Sequence, residues 1–105
     1  MVIAISTDDN SLKAPVASHF GRCKWFCLFN TESKESLFVE NVFLAQSEQA
    51  GSDVADFLMK QGVGIVIAGR FGSKVINVFM KHNIQMVIPE SVKTLTKIIN
   101  QLNIE

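Results

Sequence analysis

The sequence predicts one α/β domain built on a five-stranded mixed sheet, and three observations lead to this prediction. The chain has 105 residues, which is enough for one hydrophobic core and too few for two. Its apolar content of 48% with only two prolines is typical of a folded domain. Three short apolar runs come first, and segments of helical periodicity then alternate with further apolar runs, which gives the order β-β-β-α-β-α-β-α.

Five apolar runs predict the strands. The first stops at the turn-forming residues 7–10, and the fifth stops at Pro89. The second and third flank a polar turn at residues 31–36, so we expect them to form a hairpin. The fourth is uniformly apolar, as in strands that are buried on both faces. In chain order the predicted strands cover residues 2–6, 25–30, 37–43, 64–68 and 84–88.

Three segments with apolar residues at helical spacing predict the helices. The first extends from about residue 47 to residue 61, with Ser47 or Ser52 as its N-cap. The second covers residues 73–82. Ser91 is the predicted N-cap of the third helix. The inward-facing side chains of that helix are Val92, Leu95, Ile98, Ile99 and Leu102.

The connections between the strands determine the sheet order. Right-handed crossovers require the fourth and fifth strands to run parallel to the first, with helices on both faces of the sheet. The prediction is a three-layer α/β/α arrangement with strand order 3-2-1-4-5 and an antiparallel second strand. The loops at residues 7–24 and 69–73 then meet at the edge where open α/β sheets bind ligands. The first loop is long enough to contain a short helical turn, at residues 14–20.

Charge and composition argue against several classes of protein. Ten basic and ten acidic residues give no net charge and a pI near 6.7, so we expect no nucleic-acid binding. The N-terminal apolar run stops after five residues, so it predicts neither a signal peptide nor a membrane span. Two cysteines on such a chain are predicted to stay reduced, and we expect a cytoplasmic protein.

Residues 18–23, with the sequence SHFGRC, form the candidate metal-binding loop. They combine an imidazole, a cation and a thiol with a glycine that lets the backbone turn. His19 and Cys23 are the candidate metal ligands, because the neighbouring cations Arg22 and Lys24 are expected to lower the pKa of the Cys23 thiol. The alternatives are an ordinary surface histidine and a cysteine that packs in the core, as we predict for Cys27.

A second glycine loop, residues 69–72 with the sequence GRFG, joins the fourth strand to the second helix. Its glycines allow backbone N–H groups to converge beside a helix N-terminus, which favours an anion. A simple tight turn is the alternative. No acidic residue lies between positions 10 and 32. We therefore expect a local cationic pocket around His19, formed by Arg22, Lys24, Arg70 and Lys74.

Taken together, these residues resemble a known family, the nitrogenase iron–molybdenum cofactor biosynthesis and dinitrogenase accessory proteins. The resemblance covers nearly the whole chain. It rests on the loop at residues 18–22, Asn41, Gly51, the run at residues 62–69 and the pair Phe71 and Gly72. The chain departs from the family pattern at residues 45–52, which contain no histidine, and at Arg70, where many members have a second glycine.

The resemblance implies a ribonuclease H-like fold and a non-catalytic role as carrier or scaffold for an anionic iron–sulfur or iron–molybdenum-type cluster. Cluster-donor and cluster-acceptor proteins would be the partners. The candidate cluster-binding residues are then His19, Phe20, Gly21, Arg22, Gly69, Arg70 and Gly72.

Two other functions are open at this point. A metal-free regulatory module that binds a small anion or a nucleotide would use the same two glycine loops. A hydrolase on this fold is disfavoured, because metal-dependent hydrolysis needs several converging carboxylates and the first strand carries none. We expect a monomer, or a weak homodimer formed through the exposed edge of the third strand.

Overall fold

The computed structural model describes residues 1–42, 50–91 and 93–102, with the side chains of the first helix described from Asp53 onward. The elements follow in the predicted order. The strands are β1 (Val2–Thr7), β2 (Trp25–Asn30), β3 (Ser36–Glu40), β4 (Val63–Ile67) and β5 (Gln85–Val87). The helices are α1 (Ala50–Lys60), α2 (Ser73–Lys81) and α3 (Leu95–Leu102). None of these described helices is long and apolar enough to cross a membrane.

The five strands form one sheet in the order β3-β2-β1-β4-β5, which confirms the prediction. β2 is antiparallel to both of its neighbours, with Ser6 opposite Phe26 in the β1–β2 pair. β4 runs parallel to β1 and to β5, with Ile5 opposite Ile67 in the β1–β4 pair. The carboxyl ends of β1, β4 and β5 therefore lie at the same edge of the sheet.

The sheet has a hydrophobic core on each face, because successive residues of a strand point to opposite sides. Phe26 lies on the face covered by α1 and α2, together with Leu58 and Phe79. Cys27, the next residue, lies on the other face with Leu95 of α3. Each of these side chains is 1% exposed or less. Helices on both faces confirm the three-layer arrangement and the burial of Cys27.

α3 begins later than the sequence predicts. The expected N-cap, Ser91, is wrong, since the helix starts at Leu95. Thr94 takes that position instead, because its Oγ1 accepts a hydrogen bond from the backbone N–H of Lys97 at 3.3 Å. Residues 93–96 are held by the loop after β1, and this attachment sets where the helix can begin.

Two other boundaries differ from the prediction. β3 begins at Ser36 and ends at Glu40. Its predicted end at residue 43 lies outside the described residues. Ser52 lies within α1 and is not its N-cap. The other candidate cap, Ser47, is outside the described residues.

The helical turn expected at residues 14–20 is wrong, because the backbone there pairs with other elements. Val16 forms an isolated antiparallel bridge with Thr7 at the end of β1. Pro15 forms a second bridge with Thr94, immediately before α3. Backbone groups near a sheet edge must find partners, and here the partners are distant in sequence rather than one turn away.

Gly69, just beyond β4, brings the two predicted loops into contact. A Cβ atom at this position would lie 2.8 Å from the carbonyl oxygen of Ser18 and 3.0 Å from its Cα. Both neighbouring atoms belong to the backbone, so they cannot swing aside as the end of a side chain would. The absence of a side chain at Gly69 is therefore what allows residue 18 to approach the sheet edge.

We predict that Gly69→Ala lowers the free energy of unfolding by about 1–3 kcal/mol, because the new methyl group would displace the backbone of Ser18. The matched control is Gly64→Ala in β4, where the nearest atom is the flexible Met1 Cγ at 3.5 Å. Urea denaturation of both variants measures the difference. A Gly69→Ala protein as stable as Gly64→Ala would contradict the close approach.

Candidate functional site

The loop at residues 8–24 joins β1 to β2, and its second half is anchored at every third residue. The anchors, each 8% exposed or less, are Ala14, Ala17, Phe20 and Cys23. The exposed residues between and beside them include Ser18, His19, Arg22 and Lys24. This spacing buries one side chain in three, so the buried side chains attach the loop to the core while its polar groups project into solvent.

Backbone hydrogen bonds attach residues 16 and 17 to two other elements. The N–H of Ala17 donates to the carbonyl oxygen of Ser6, at the end of β1, at 2.7 Å. The N–H of Val16 donates to the carbonyl oxygen of Lys93, just before α3, at 2.9 Å. The start of the exposed segment is thus held between the sheet and the helix.

The middle of the loop is attached to the segment between β4 and α2. Gly69 donates its N–H to the Ala17 carbonyl, and Phe20 donates its N–H to the Arg70 carbonyl, both at 2.9 Å. These bonds confirm that the two glycine loops lie side by side. The Phe20 ring is 5.4–5.7 Å, centroid to centroid, from three other aromatic rings. Phe20 therefore positions the loop from the core, and its ring is not on the exposed face.

Asn41, which follows β3, holds the end of the loop. Its Nδ2 donates to the carbonyl oxygens of Gly21 at 3.2 Å and Cys23 at 2.8 Å, and its backbone N–H donates to Lys24 at 2.8 Å. Gly21 has φ of 86°, a left-handed conformation that favours glycine. A single buried amide and a single left-handed glycine thus set the path between Phe20 and β2.

The Cys23 thiol is not the activated group that its neighbours in the sequence suggest. It is 1% exposed, and burial raises its pKa to about 11. The expectation that Arg22 and Lys24 lower this pKa is wrong, because loss of solvation outweighs every other effect on the thiol. The buried Ser6 hydroxyl lies beside the thiol and lowers its pKa by a smaller amount.

Two adjoining cavities open at this edge of the sheet. The smaller, of about 60 Å³, is lined by Asp8, Ala17, Ser18, His19, Arg22 and Cys23. The larger, of about 490 Å³, shares Asp8, Ala17 and Ser18 with it and extends past Gly69 to residues 89–91. The structure therefore brings His19, Arg22 and Cys23 together as the sequence predicts, with Cys23 buried beneath the two exposed side chains.

Of the four cations expected around His19, one lines the same cavity. Arg22 lines the smaller cavity, whereas Arg70 and Lys74 are exposed and line neither cavity. Gly72 is also exposed and lines neither of them. Asp8, which precedes the acid-free stretch between positions 10 and 32, lines both cavities, and its Oδ1 accepts the N–H of Lys24 at 3.2 Å. The site is therefore of mixed charge.

A preformed metal-binding cluster is not present in the described part of the chain. No group of three or more His, Cys, Asp or Glu side chains there is arranged to hold a metal ion. His19 presents an exposed imidazole, and Cys23 is buried with a raised pKa. The residues fit a group that is held by one ligand and by charge, and they do not fit a resident ion enclosed by several ligands.

A protein-family model identifies the family of the chain. The model described as dinitrogenase iron-molybdenum cofactor matches residues 1–103. The chain belongs to the dinitrogenase iron-molybdenum cofactor family. The resemblance seen in the sequence is thereby confirmed over nearly the whole chain. Comparison with curated proteins found no match.

Solved structures similar to this family member share its fold. The apo form of the orange protein from Desulfovibrio gigas matches with a TM-score of 0.88 and 22% identity, over 96% of this chain and 85% of that one. A Thermotoga protein described as NifB, of the DUF35 family, matches with a TM-score of 0.83 and 24% identity, again over 96% and 85%. At these identities the likeness establishes the fold alone.

Three residues that shape the site were not assigned a role there from the sequence. Asp8 comes directly after β1, a position from which a side chain can reach the sheet edge, so a signal for it was present. Ser6 lies within an apolar run and gave no signal. Asn41 was marked only by the family resemblance, because a single amide after a strand has no predictable distant partner.

We predict that both thiols resist alkylation in the native protein at pH 8. Burial raises the pKa of Cys23 and of Cys27 to about 11, from an ordinary value of 9.0. Because the folded state favours the neutral thiols, their contribution to stability is complete below pH 9 and is lost as pH rises through 11. Mass spectrometry after N-ethylmaleimide treatment, with a urea-unfolded control, measures the protection.

Rapid modification of Cys23 in the native protein would contradict this burial. Cys27 serves as the internal reference, since it lies in the opposite core and is 0% exposed.

Proposed function

We propose that the chain is a non-catalytic carrier or scaffold for an anionic iron–sulfur or iron–molybdenum-type cluster, held on the outer face of residues 18–22. Membership of the dinitrogenase iron-molybdenum cofactor family supports this class of cargo. One observation supports the choice of residues. His19 and Arg22 line the same cavity with exposed side chains that, in the described part of the chain, make no hydrogen bond or salt bridge.

Each exposed side chain has a distinct proposed task. The His19 imidazole would bind a metal of the cluster, since neutral imidazole is a common ligand of transition metals. The Arg22 guanidinium would donate hydrogen bonds to sulfide or oxo groups and offset the negative charge of the cluster. Ser18 would add a hydroxyl donor beside them. These three side chains can contact the cluster without first breaking a hydrogen bond or salt bridge within the described part of the chain.

The size of the cavity and the number of ligands suit an exchangeable cargo. A volume of about 60 Å³ is small for a cluster, so the cluster would lie across the mouth of the cavity. Cys23 forms part of the cavity wall, but it is 1% exposed and its pKa is about 11, so the proposal gives it no ligand role. One imidazole ligand holds a metal loosely, which suits transfer between a donor and an acceptor protein.

The proposal predicts a coloured, stoichiometric complex that depends on His19. Anaerobic titration with ferrous iron, sulfide and tetrathiomolybdate, followed by desalting, would give visible charge-transfer absorption and the metal content per chain. We expect His19→Ala to weaken the complex about tenfold or more, because the metal loses its protein ligand. Arg22→Gln should also weaken it, through loss of charge compensation.

The matched control is His82→Ala, which removes the other histidine of the chain, an exposed residue at the far end of α2. Colour that is indifferent to His19, or equally sensitive to His82, would overturn the proposal. If tetrathiomolybdate binding depends on Arg22 and does not depend on His19, the result would instead support the metal-free anion-binding module.

A further inference from the structure

The larger cavity has no role in the proposal for the cluster. It is an open cleft of about 490 Å³, which falls within the range of about 300–1,000 Å³ typical of small-molecule sites. One wall is formed by residues 15–18 and the other by residues 89–91, which follow β5. Gly69 also lines the cleft. The cleft thus occupies the sheet edge at which open α/β folds bind ligands.

The lining of the cleft combines apolar surface with two carboxylates. Pro15, Val16 and Pro89 supply apolar surface, and Val16 is only half-buried. Asp8 and Glu90 also line the cleft, and both are exposed. Within the described residues, neither carboxylate has a salt-bridge partner. A bare anion would meet repulsion here.

The basic groups that are near the cleft in sequence do not line it. No basic side chain lines it in the described part of the chain. Lys93, at the adjoining start of α3, donates from Nζ to Gln101 Oε1 at 3.4 Å. Arg22 lines the smaller cavity, which Asp8 also lines, and it does not line the cleft. Lys24 contributes its backbone N–H to Asp8, and its side chain lines neither cavity.

We propose that this cleft binds a small organic cation, consisting of an amidinium, guanidinium or ammonium group on an apolar body. The positive group pairs with Asp8 and Glu90 through charge-assisted hydrogen bonds. The apolar body covers Pro15, Val16 and Pro89, and removes their surface from water. The inference does not depend on cluster binding, because His19 and Arg22 take no part in it.

An NMR titration of the whole chain with benzamidine tests this assignment. Benzoate is the matched probe, since it has nearly the same shape and the opposite charge. We expect benzamidine to cause saturable shifts at the backbone amides of Ala17, Ser18, Gly69 and Ser91, and benzoate to cause none. Methylguanidine carries a similar charge without the ring, and we expect it to bind at least about fivefold more weakly.

Variants of the two carboxylates complete the test. Glu90→Gln, at an exposed position, should weaken benzamidine binding about fivefold, and adding Asp8→Asn should bring the loss to at least about tenfold. The amide oxygen that Asp8→Asn introduces can still accept a hydrogen bond from the N–H of Lys24, so this attachment of the loop is kept. Glu35→Gln, at an exposed position in the β2–β3 turn at the opposite end of the strands, is the control and should change nothing.

Several results would overturn the assignment. The first is a set of benzamidine-induced NMR shifts that do not saturate or that map outside the cleft. The second is binding of benzoate or of methylguanidine with the same affinity as benzamidine. The third is an unchanged affinity for benzamidine in the Glu90→Gln, Asp8→Asn double variant.

Discussion

Hydrogen bonds between residues 16–24 and their neighbours are the constraint on which the site depends. The loop joins two adjacent strands, yet it is far longer than a hairpin turn, and ordering each residue costs about 1–2 kcal/mol of conformational entropy. Attachments to β1, to the start of α3, to residues 69–70 and to Asn41 satisfy its backbone groups. Four buried side chains add apolar contact. Without these attachments His19 and Arg22 would have no fixed separation, and neither cavity would have a defined wall.

The same attachments give the sheet edge two cavities of different character. On one side of Ser18, an imidazole and a guanidinium are exposed above a buried thiol. On the other side, two carboxylates border apolar surface. The close approach of Gly69 to Ser18 holds this boundary in place, because only a residue without a side chain leaves room for it. Asp8 belongs to both cavities, so the two proposed ligands would influence each other through its charge.

Sequence reasoning predicted the fold better than the site, and the difference has a physical cause. The order of the strands follows from a local hairpin and from the handedness of crossovers, which periodicity and turn residues reveal. The path of the loop depends instead on distant partners, such as the amide of Asn41 on Gly21 and Cys23. Burial, which the neighbouring charges Arg22 and Lys24 do not reveal, reversed the expected pKa shift of Cys23. The start of α3 at Leu95 was missed for a related reason, since loop residues hold the segment before it.

Amide hydrogen exchange measured by NMR tests the central claim most directly, namely that the exposed site residues stand on a fixed backbone. The account predicts that the amides of Ala17, Phe20 and Gly69, whose acceptors lie in other segments, exchange as slowly as that of Ile5 in the central strand β1. Exchange of these amides as fast as that of Ser33, in the exposed β2–β3 turn, would contradict it. The loop would then be ordered for only part of the time, and neither cavity would be preorganised to bind a ligand.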